Sequence, residues 1–283
     1  MKIEKVGVVG CGLMGGGISQ VCAQSGYQVI VSEVNEDLLN KGLNAIKARL
    51  AKGVEKEKIS KEDEAAIVGR IRGTTDTKDF ADRDIVIEAA VESMLLKKKI
   101  FADLDGICPA GAILATNTSC LSVTELAMET GRPDRVIGTH FFNPVPVMAL
   151  LEIVTTIISS DDTLNAVKAL GESLGKTVIT AMDKPGFIVN RLLIPFSLEA
   201  IRVLEEGTAT REDIDNGMKL GANHPMGPLA LSDFVGLDTM YYIAESMYEE
   251  FKDNKFAPPL LLKRMVTAGH LGRKSGKGFY DYN

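Results

Sequence analysis

The chain has 283 residues, 45% of them hydrophobic and 25% charged, with a net charge of -6. This is the composition of a globular chain long enough to bury a sizeable core without disulfides or metals, and at roughly 150 residues per domain it predicts two domains. The acidic balance argues against nucleic acid as a partner, and no apolar run approaches the roughly 20 residues that a membrane helix needs.

Residues 3–9 (IEKVGVV) are rich in β-formers and are followed at once by glycines. An amphipathic helical stretch then runs through Gln24 to Gly26, which suits the residue just past a helix end. A second β-rich run covers 27–33 (YQVIVSE), and a helical pattern extends from about 37 to 52. This strand–helix–strand spacing opens a parallel, doubly wound α/β sheet of Rossmann type. Residues 52–75 are highly charged, and Ser60 with Asp63 reads as a capping box. The expectation there is a helical hairpin, about 45–75, standing out from the sheet. Further strands are predicted at 85–88, 113–115, 135–140, 150–155 and 177–180, with helices near 95–104, 122–129 and 162–174 between them.

The pattern changes at DKPG (183–186), after which no strand-like run appears. Residues 187–206 read as one long helix, with Pro195 able to kink it. Thr210 and Asp213 mark another helix start, and 236–252 and 259–268 read as further helices. The expected organisation is therefore a nucleotide-binding domain over 1–184 and an all-helical domain over 185–283. Cys11, Cys22, Cys108 and Cys120 match no zinc or redox spacing, and no metal site is expected. They read as reduced, buried thiols. With an N-terminus (MKIEKVGVVGCG) that lacks a signal-peptide apolar region, they predict a cytoplasmic protein.

Gly10, Gly12 and Gly15 form G-x-G-x-x-G (GCGLMG) between a predicted strand and a predicted helix. In that setting each glycine has a task. Gly10 permits the tight turn, Gly12 lets the backbone approach a pyrophosphate, and Gly15 lets helix pack on strand. Leu13 and Met14 then belong to the first helical turn, whose N–H groups and dipole face the phosphates. Glu33 ends the second strand at the interval expected of a ribose-binding carboxylate. No arginine follows among Val34, Asn35 and Glu36, so NAD is predicted over NADP.

Only three histidines occur, at 140, 224 and 270. His140 closes a predicted strand in GTHFFNPVPVMALLEIV, at the end of the sheet where doubly wound folds bind ligands. Imidazole is also suited to proton exchange near neutral pH. Glu152 is the only carboxylate between Arg135 and Asp161, on an apolar run that could return antiparallel beside the first. A buried carboxylate needs a partner, and pairing with His140 would supply one and fix the ring tautomer. Ser119 and Asn117, in ATNTSCLS, lie at another strand end. Asn190 lies in PGFIVNR at the start of the helical domain. Taken alone, these three residues are equally consistent with turns and caps.

The motifs GCGLMG, VIEAAVES, ATNTSCLS, GTHFFNPVPVM, PGFIVNR, HPMGPL and GRKSGKGFYDY, in this order, resemble the 3-hydroxyacyl-CoA dehydrogenase family, most nearly its bacterial 3-hydroxybutyryl-CoA branch. The resemblance spans essentially the whole chain. It implies a His140–Glu152 dyad, with Ser119 and Asn190 orienting substrate and cofactor in a cleft between the domains. It further implies cofactor contacts at Glu92, Lys97, Asn143 and Lys274, and coenzyme A against the charged hairpin at Lys52 and Lys56. The implied substrate is an acyl-CoA. The apolar residues of the helical domain (Leu192, Leu193, Ile194, Phe196, Met240, Tyr241 and Tyr242) suggest a homodimer contact, and core packing within the domain explains them almost as well. Three departures stand out: Thr116 and Cys120 replace serines around the matched Ser119, and Ala149 replaces a lysine of the PVMKL segment. A hydroxyacid dehydrogenase with a catalytic lysine in G-x-x-K-x-x-x-N is disfavoured, because PGFIVNR stands where that motif belongs. A cofactor-binding protein without catalysis is disfavoured by the paired His140 and Glu152.

Overall fold

The computed structural model describes residues 2–282. They form two compact units that divide between Asp183 and Lys184.

The first unit holds one eight-stranded sheet. Its strands are β1 (Lys5–Val9), β2 (Gln28–Ser32), β3 (Ile71–Thr74), β4 (Ile85–Glu88), β5 (Ile113–Thr116), β6 (Val136–Phe141), β7 (Leu150–Thr155) and β8 (Thr177–Met182). The spatial order is β3-β2-β1-β4-β5-β6-β7-β8. The first six strands are mutually parallel, β7 runs antiparallel to β6, and β8 is parallel to β7. Chain order reverses between β1 and β4, the crevice where such sheets take ligands.

Alternation fixes the packing. Val6 and Val8, Val29 and Val31, Ile85 and Ile87, and Leu151 and Ile153 belong to one buried cluster, because every second side chain of a strand shares a face. That face meets α1 (Leu13–Gln24) through Ile18, Val21 and Cys22, and α6 (Asp161–Ser173) through Val167 and Leu170. Helix α2 (Glu36–Glu55) opens with Asn35, whose side chain accepts the Leu38 N–H, and buries Leu39, Gly42, Ile46 and Leu50 along one stripe. Helix α3 (Lys61–Gly69) starts with the reciprocal Ser60–Asp63 capping box read from the sequence.

The segment expected as a helical hairpin over about 45–75 ends differently. Ile71–Thr74 pairs in parallel with β2 and forms the edge of the sheet. The strand is only four residues long and carries Arg72 on its exposed side, so its β-character is hidden among charges. Helices α4 (Met94–Ile107) and α5 (Val123–Ala127) complete this unit.

The second unit contains α7 (Val189–Glu205), α8 (Arg211–Gly221), α9 (Pro228–Val235), α10 (Leu237–Phe251) and α11 (Leu260–Thr267). Its core gathers Leu198, Ile201, Leu229, Met240, Met247 and Phe256. Helix α7 continues through Pro195 as one element. Helix α9 has no counterpart in the sequence reading. Its first N–H groups, from Leu229 and Ala230, are accepted by the buried carboxylate of Asp215 on α8, so its cap comes from 14 residues away. Asp233 likewise accepts the N–H groups of Phe279 and Tyr280 and the Tyr282 hydroxyl. The HPMGPL and GFYDY segments are thus tied to two buried acids of the helical unit.

Candidate active site

The turn between β1 and α1 is shaped by two steric demands. Gly10 adopts φ +94°, and a Cβ on Gly15 would lie 1.9 Å from the Gly10 carbonyl oxygen. A Cβ on Gly12 would meet nothing within 4 Å, so the backbone there faces open space where a phosphate can approach. The first N–H groups of any helix lack intrahelical partners, and here they belong to Leu13, Met14 and Gly15. Glu33 stands just past β2, where its Oε1 accepts the Cys11 N–H at 2.9 Å and its Oε2 the Val34 N–H at 3.0 Å. This fastens a strand-end carboxylate beside the glycine turn. Narrow helix–strand contact, an open Gly12 and an adjacent carboxylate together fit a dinucleotide. Cys11, inside the turn, is held neutral: burial first, and Glu33 second, push its thiol up to about 11.

His140 and Glu152 face each other across the β6–β7 pair, directly opposite in register. Nδ1 of His140 lies 2.6 Å from Oε2 of Glu152. His140 is 4% exposed and Glu152 0%. A carboxylate oxygen only accepts, so Nδ1–H donates and the opposite ring nitrogen, Nε2, is the one oriented for proton exchange. The Phe142 ring packs at 4.5 Å from the imidazole. One residue on from the histidine, the Phe141 N–H donates to Oδ1 of Asn117 at 3.0 Å. That bond joins the end of β6 to the loop after β5.

Ser119 lies in this loop, half-buried. Its N–H donates to Oε1 of Glu92 at 2.9 Å, and the same oxygen accepts the Thr118 hydroxyl. Glu92 in turn lies 3.3 Å from the ammonium of Lys97. Lys97 is 1% exposed and pairs at 2.6 Å with Glu88, itself fully buried. Lys97, implied by resemblance as a cofactor contact, is therefore enclosed by two carboxylates. Glu88 was not singled out from the sequence, although a lone carboxylate ending the apolar strand IVIE was a signal of the same kind as Glu33. Asp183 was also missed. It accepts the N–H groups of Val123 and Thr124 and the Thr124 hydroxyl, fastening the start of α5.

Asn143 is exposed just beyond β6. The loop after it is clamped from behind by Lys176, whose ammonium donates to the carbonyls of Val145 and Met148 at 2.6 and 2.7 Å. Pro144 and Pro146 of this loop, with Arg49, Lys52, Lys56 and Lys58, line a hollow of about 320 Å³ that holds no carboxylate among the described residues around it. In the second unit, Asn190 is the second residue of α7 and is half-buried. Lys274 pairs with Asp238 at 2.6 Å. Among the described residues, no group of three or more His, Cys, Asp or Glu is arranged to hold a metal, and no helix is long and apolar enough to cross a membrane.

Two family models match the chain: "3-hydroxyacyl-CoA dehydrogenase, NAD binding domain" over residues 5–184 and "3-hydroxyacyl-CoA dehydrogenase, C-terminal domain" over residues 186–282. A probable 3-hydroxybutyryl-CoA dehydrogenase of Deinococcus radiodurans is 49% identical over 278 residues, covering 98% of this chain and 100% of that protein. A probable 3-hydroxybutyryl-CoA dehydrogenase of Bacillus subtilis is 47% identical, covering 100% of this chain and 98% of that protein. The crystal structure of (S)-3-hydroxybutyryl-CoA dehydrogenase from Ralstonia eutropha superposes with a TM-score of 0.96 at 49% identity, covering 100% of both chains.

Proposed function

The chain belongs to the 3-hydroxyacyl-CoA dehydrogenase family, NAD-dependent oxidoreductases acting on a CH–OH group, and on that premise we propose a substrate and a division of labour among its residues. The substrate pair is acetoacetyl-CoA and 3-hydroxybutyryl-CoA, a reading supported by the names of relatives that match over their full length. The observation that carries the mechanism is the buried 2.6 Å contact between His140 and Glu152 at the ligand-binding end of the sheet.

In the reductive direction, protonated His140 gives the proton on Nε2 to the C3 carbonyl oxygen. Glu152 holds Nδ1–H, fixes the ring plane and offsets the positive charge before transfer. In the oxidative direction, His140 takes the hydroxyl proton, and Glu152 stabilises the imidazolium that results. When bound, the nicotinamide takes or supplies the hydride at C3, chemistry that belongs to the cofactor. Positioned acid–base help of this kind contributes about 10²–10⁴ in rate. Ser119 orients the reacting oxygen or the thioester. For Asn190, the family resemblance supports a role in orienting substrate and cofactor.

Gly10, Gly12, Leu13, Met14 and Gly15 hold the pyrophosphate, and Glu33 holds the ribose hydroxyls, where its charge would repel the extra phosphate of NADP. Glu92 and Asn143 complete the cofactor side, and for Lys274, paired with Asp238, the support for a cofactor role is the family resemblance. Lys52 and Lys56, with Arg49 and Lys58 in the same carboxylate-free hollow, offset the phosphates of coenzyme A in a chain that is acidic overall. A homodimer formed through the helical unit is supported by large exposed side chains there, Leu192 at 70% and Tyr242 at 63%. Four buried cysteines without a disulfide fit a reducing compartment, the cytoplasm.

The test is loss of the NADH absorbance band on adding acetoacetyl-CoA, repeated over a series of 3-ketoacyl chain lengths and with NADPH. The short-chain substrate with NADH is expected to give the highest kcat/KM. An unchanged band with every substrate would remove the proposal.

A further inference from the structure

We infer that Glu88 is a positioning residue for Ser119, acting through two arms that meet where the Thr118 hydroxyl donates to Glu92, and this inference rests on the proposed role of Ser119. Glu88 closes β4 and lies between two parts of the site. In register it stands opposite Val9, which leads into the glycine turn, and opposite Thr116, which leads into the Ser119 loop. Its carboxylate is fully buried. Three donors satisfy it: the Ala90 N–H at 2.7 Å, the Lys97 ammonium at 2.6 Å and the Thr116 hydroxyl at 2.7 Å.

The first arm runs through Lys97. Held by Glu88, its ammonium reaches Glu92 at 3.3 Å, and Glu92 accepts the Ser119 N–H at 2.9 Å. The second arm runs through Thr116. Its hydroxyl donates to Glu88 and accepts the Thr118 N–H at 3.2 Å, and the Thr118 hydroxyl in turn accepts the Leu121 N–H at 2.9 Å. The loop bearing Ser119 is therefore fixed on both sides by bonds that converge on one carboxylate.

Stability gives little reason for such an arrangement. A buried ion pair is commonly no more stable than apolar side chains of the same volume, and β4 is otherwise apolar. What the charges add is direction, since each bond fixes an angle that a packed leucine would leave loose. The Glu88 backbone takes part as well: its carbonyl accepts the Asn117 N–H at 2.7 Å, and Asn117 bonds Phe141 beside His140. The site of proton exchange and the Ser119 loop are thus referenced to the same strand end.

Glu88→Gln removes the charge while keeping the shape. Because a buried partner is being broken, Thr116→Val serves as a second variant, with Thr116→Ser as its conservative rescue. Thr116→Val is expected to lower kcat by about tenfold, a loss in keeping with a contact group displaced by a fraction of an ångström, while the KM for acetoacetyl-CoA changes far less. Thr116→Ser is expected to restore kcat. In the free protein, amide hydrogen exchange at Ser119 is expected to accelerate by about tenfold in Glu88→Gln and in Thr116→Val. In a Ser119→Ala background, Thr116→Val is expected to cost nothing more, because both act on one group. Equal losses from Thr116→Val with and without Ser119 would overturn the inference, as would unchanged exchange at Ser119. If Ser119→Ala alone keeps full kcat, the catalytic reading of Ser119 fails instead, and the exchange rates still decide whether Glu88 holds the loop.

Discussion

Glutamine in place of Glu152 removes one charge from the heart of the site and little else. The side chain is fully buried on a strand paired on both sides, and its Oε2 stands 2.6 Å from Nδ1 of His140. Charge centres about 4 Å apart interact by about 4 kcal/mol at an effective dielectric of about 20. If about half of the imidazolium charge changes by the transition state, the pair contributes about 2 kcal/mol there, or roughly 30-fold in rate. The full interaction sets a ceiling of about 10³-fold. Glutamine keeps the volume and an acceptor for Nδ1–H, so the melting temperature should move by only a few degrees. The assay is single-turnover reduction of pre-bound NAD by 3-hydroxybutyryl-CoA, the direction in which the imidazolium forms and the attraction grows toward the transition state, with the dissociation constant of NAD measured separately. The expected result is a fall in the hydride-transfer rate of about 30-fold to about 10³-fold with cofactor affinity unchanged. A rate within about threefold of the parent, or a loss confined to KM, would refute the reasoning.

Three further outcomes follow from separate parts of the structure. Glu33→Ala should raise the ratio of NADPH to NADH use, since it removes both the ribose acceptor and the charge facing a 2′-phosphate; an unchanged ratio would show that Glu33 does not read the ribose. Changing Lys52 and Lys56 to alanine should raise the KM for acyl-CoA and flatten its rise with salt, leaving the affinity for NADH alone; an unaltered salt dependence would take coenzyme A out of that hollow. Burial pushes the Cys22 thiol from its ordinary 9.0 up to about 12. Between those values the unfolded chain binds fewer protons than the folded one, so stability falls as pH rises past about 9, by about 1.4 kcal/mol per pH unit for this thiol. Urea unfolding of the parent should therefore steepen against pH above 9 relative to Cys22→Ala, and parallel curves would contradict the burial argument.

What the sequence revealed, and what it hid, divides along a physical line. The glycine turn, β6 and β7 are each written in contiguous residues: small residues at fixed spacing, then apolar runs interrupted by a single charge. The pairing of His140 with Glu152 follows from two such runs and a short return, because antiparallel neighbours bring a few positions into register. β3 was hidden because an edge strand of four residues, one of them arginine, has the composition of a surface loop. α9 was hidden because its cap, Asp215, is supplied from another helix. Glu88 and Lys97 illustrate the same limit within the site. Each looks like a strand-end or helix-face charge in the sequence, and only the folded chain turns back over nine positions to place the two 2.6 Å apart.

The most direct measurement is the rate of hydride transfer in His140→Gln, read from the absorbance of NADH already bound, on mixing with acetoacetyl-CoA. Proton exchange at this one imidazole predicts a fall of at least about 10² with the affinity for NADH intact. Transfer at close to the parent rate would contradict it.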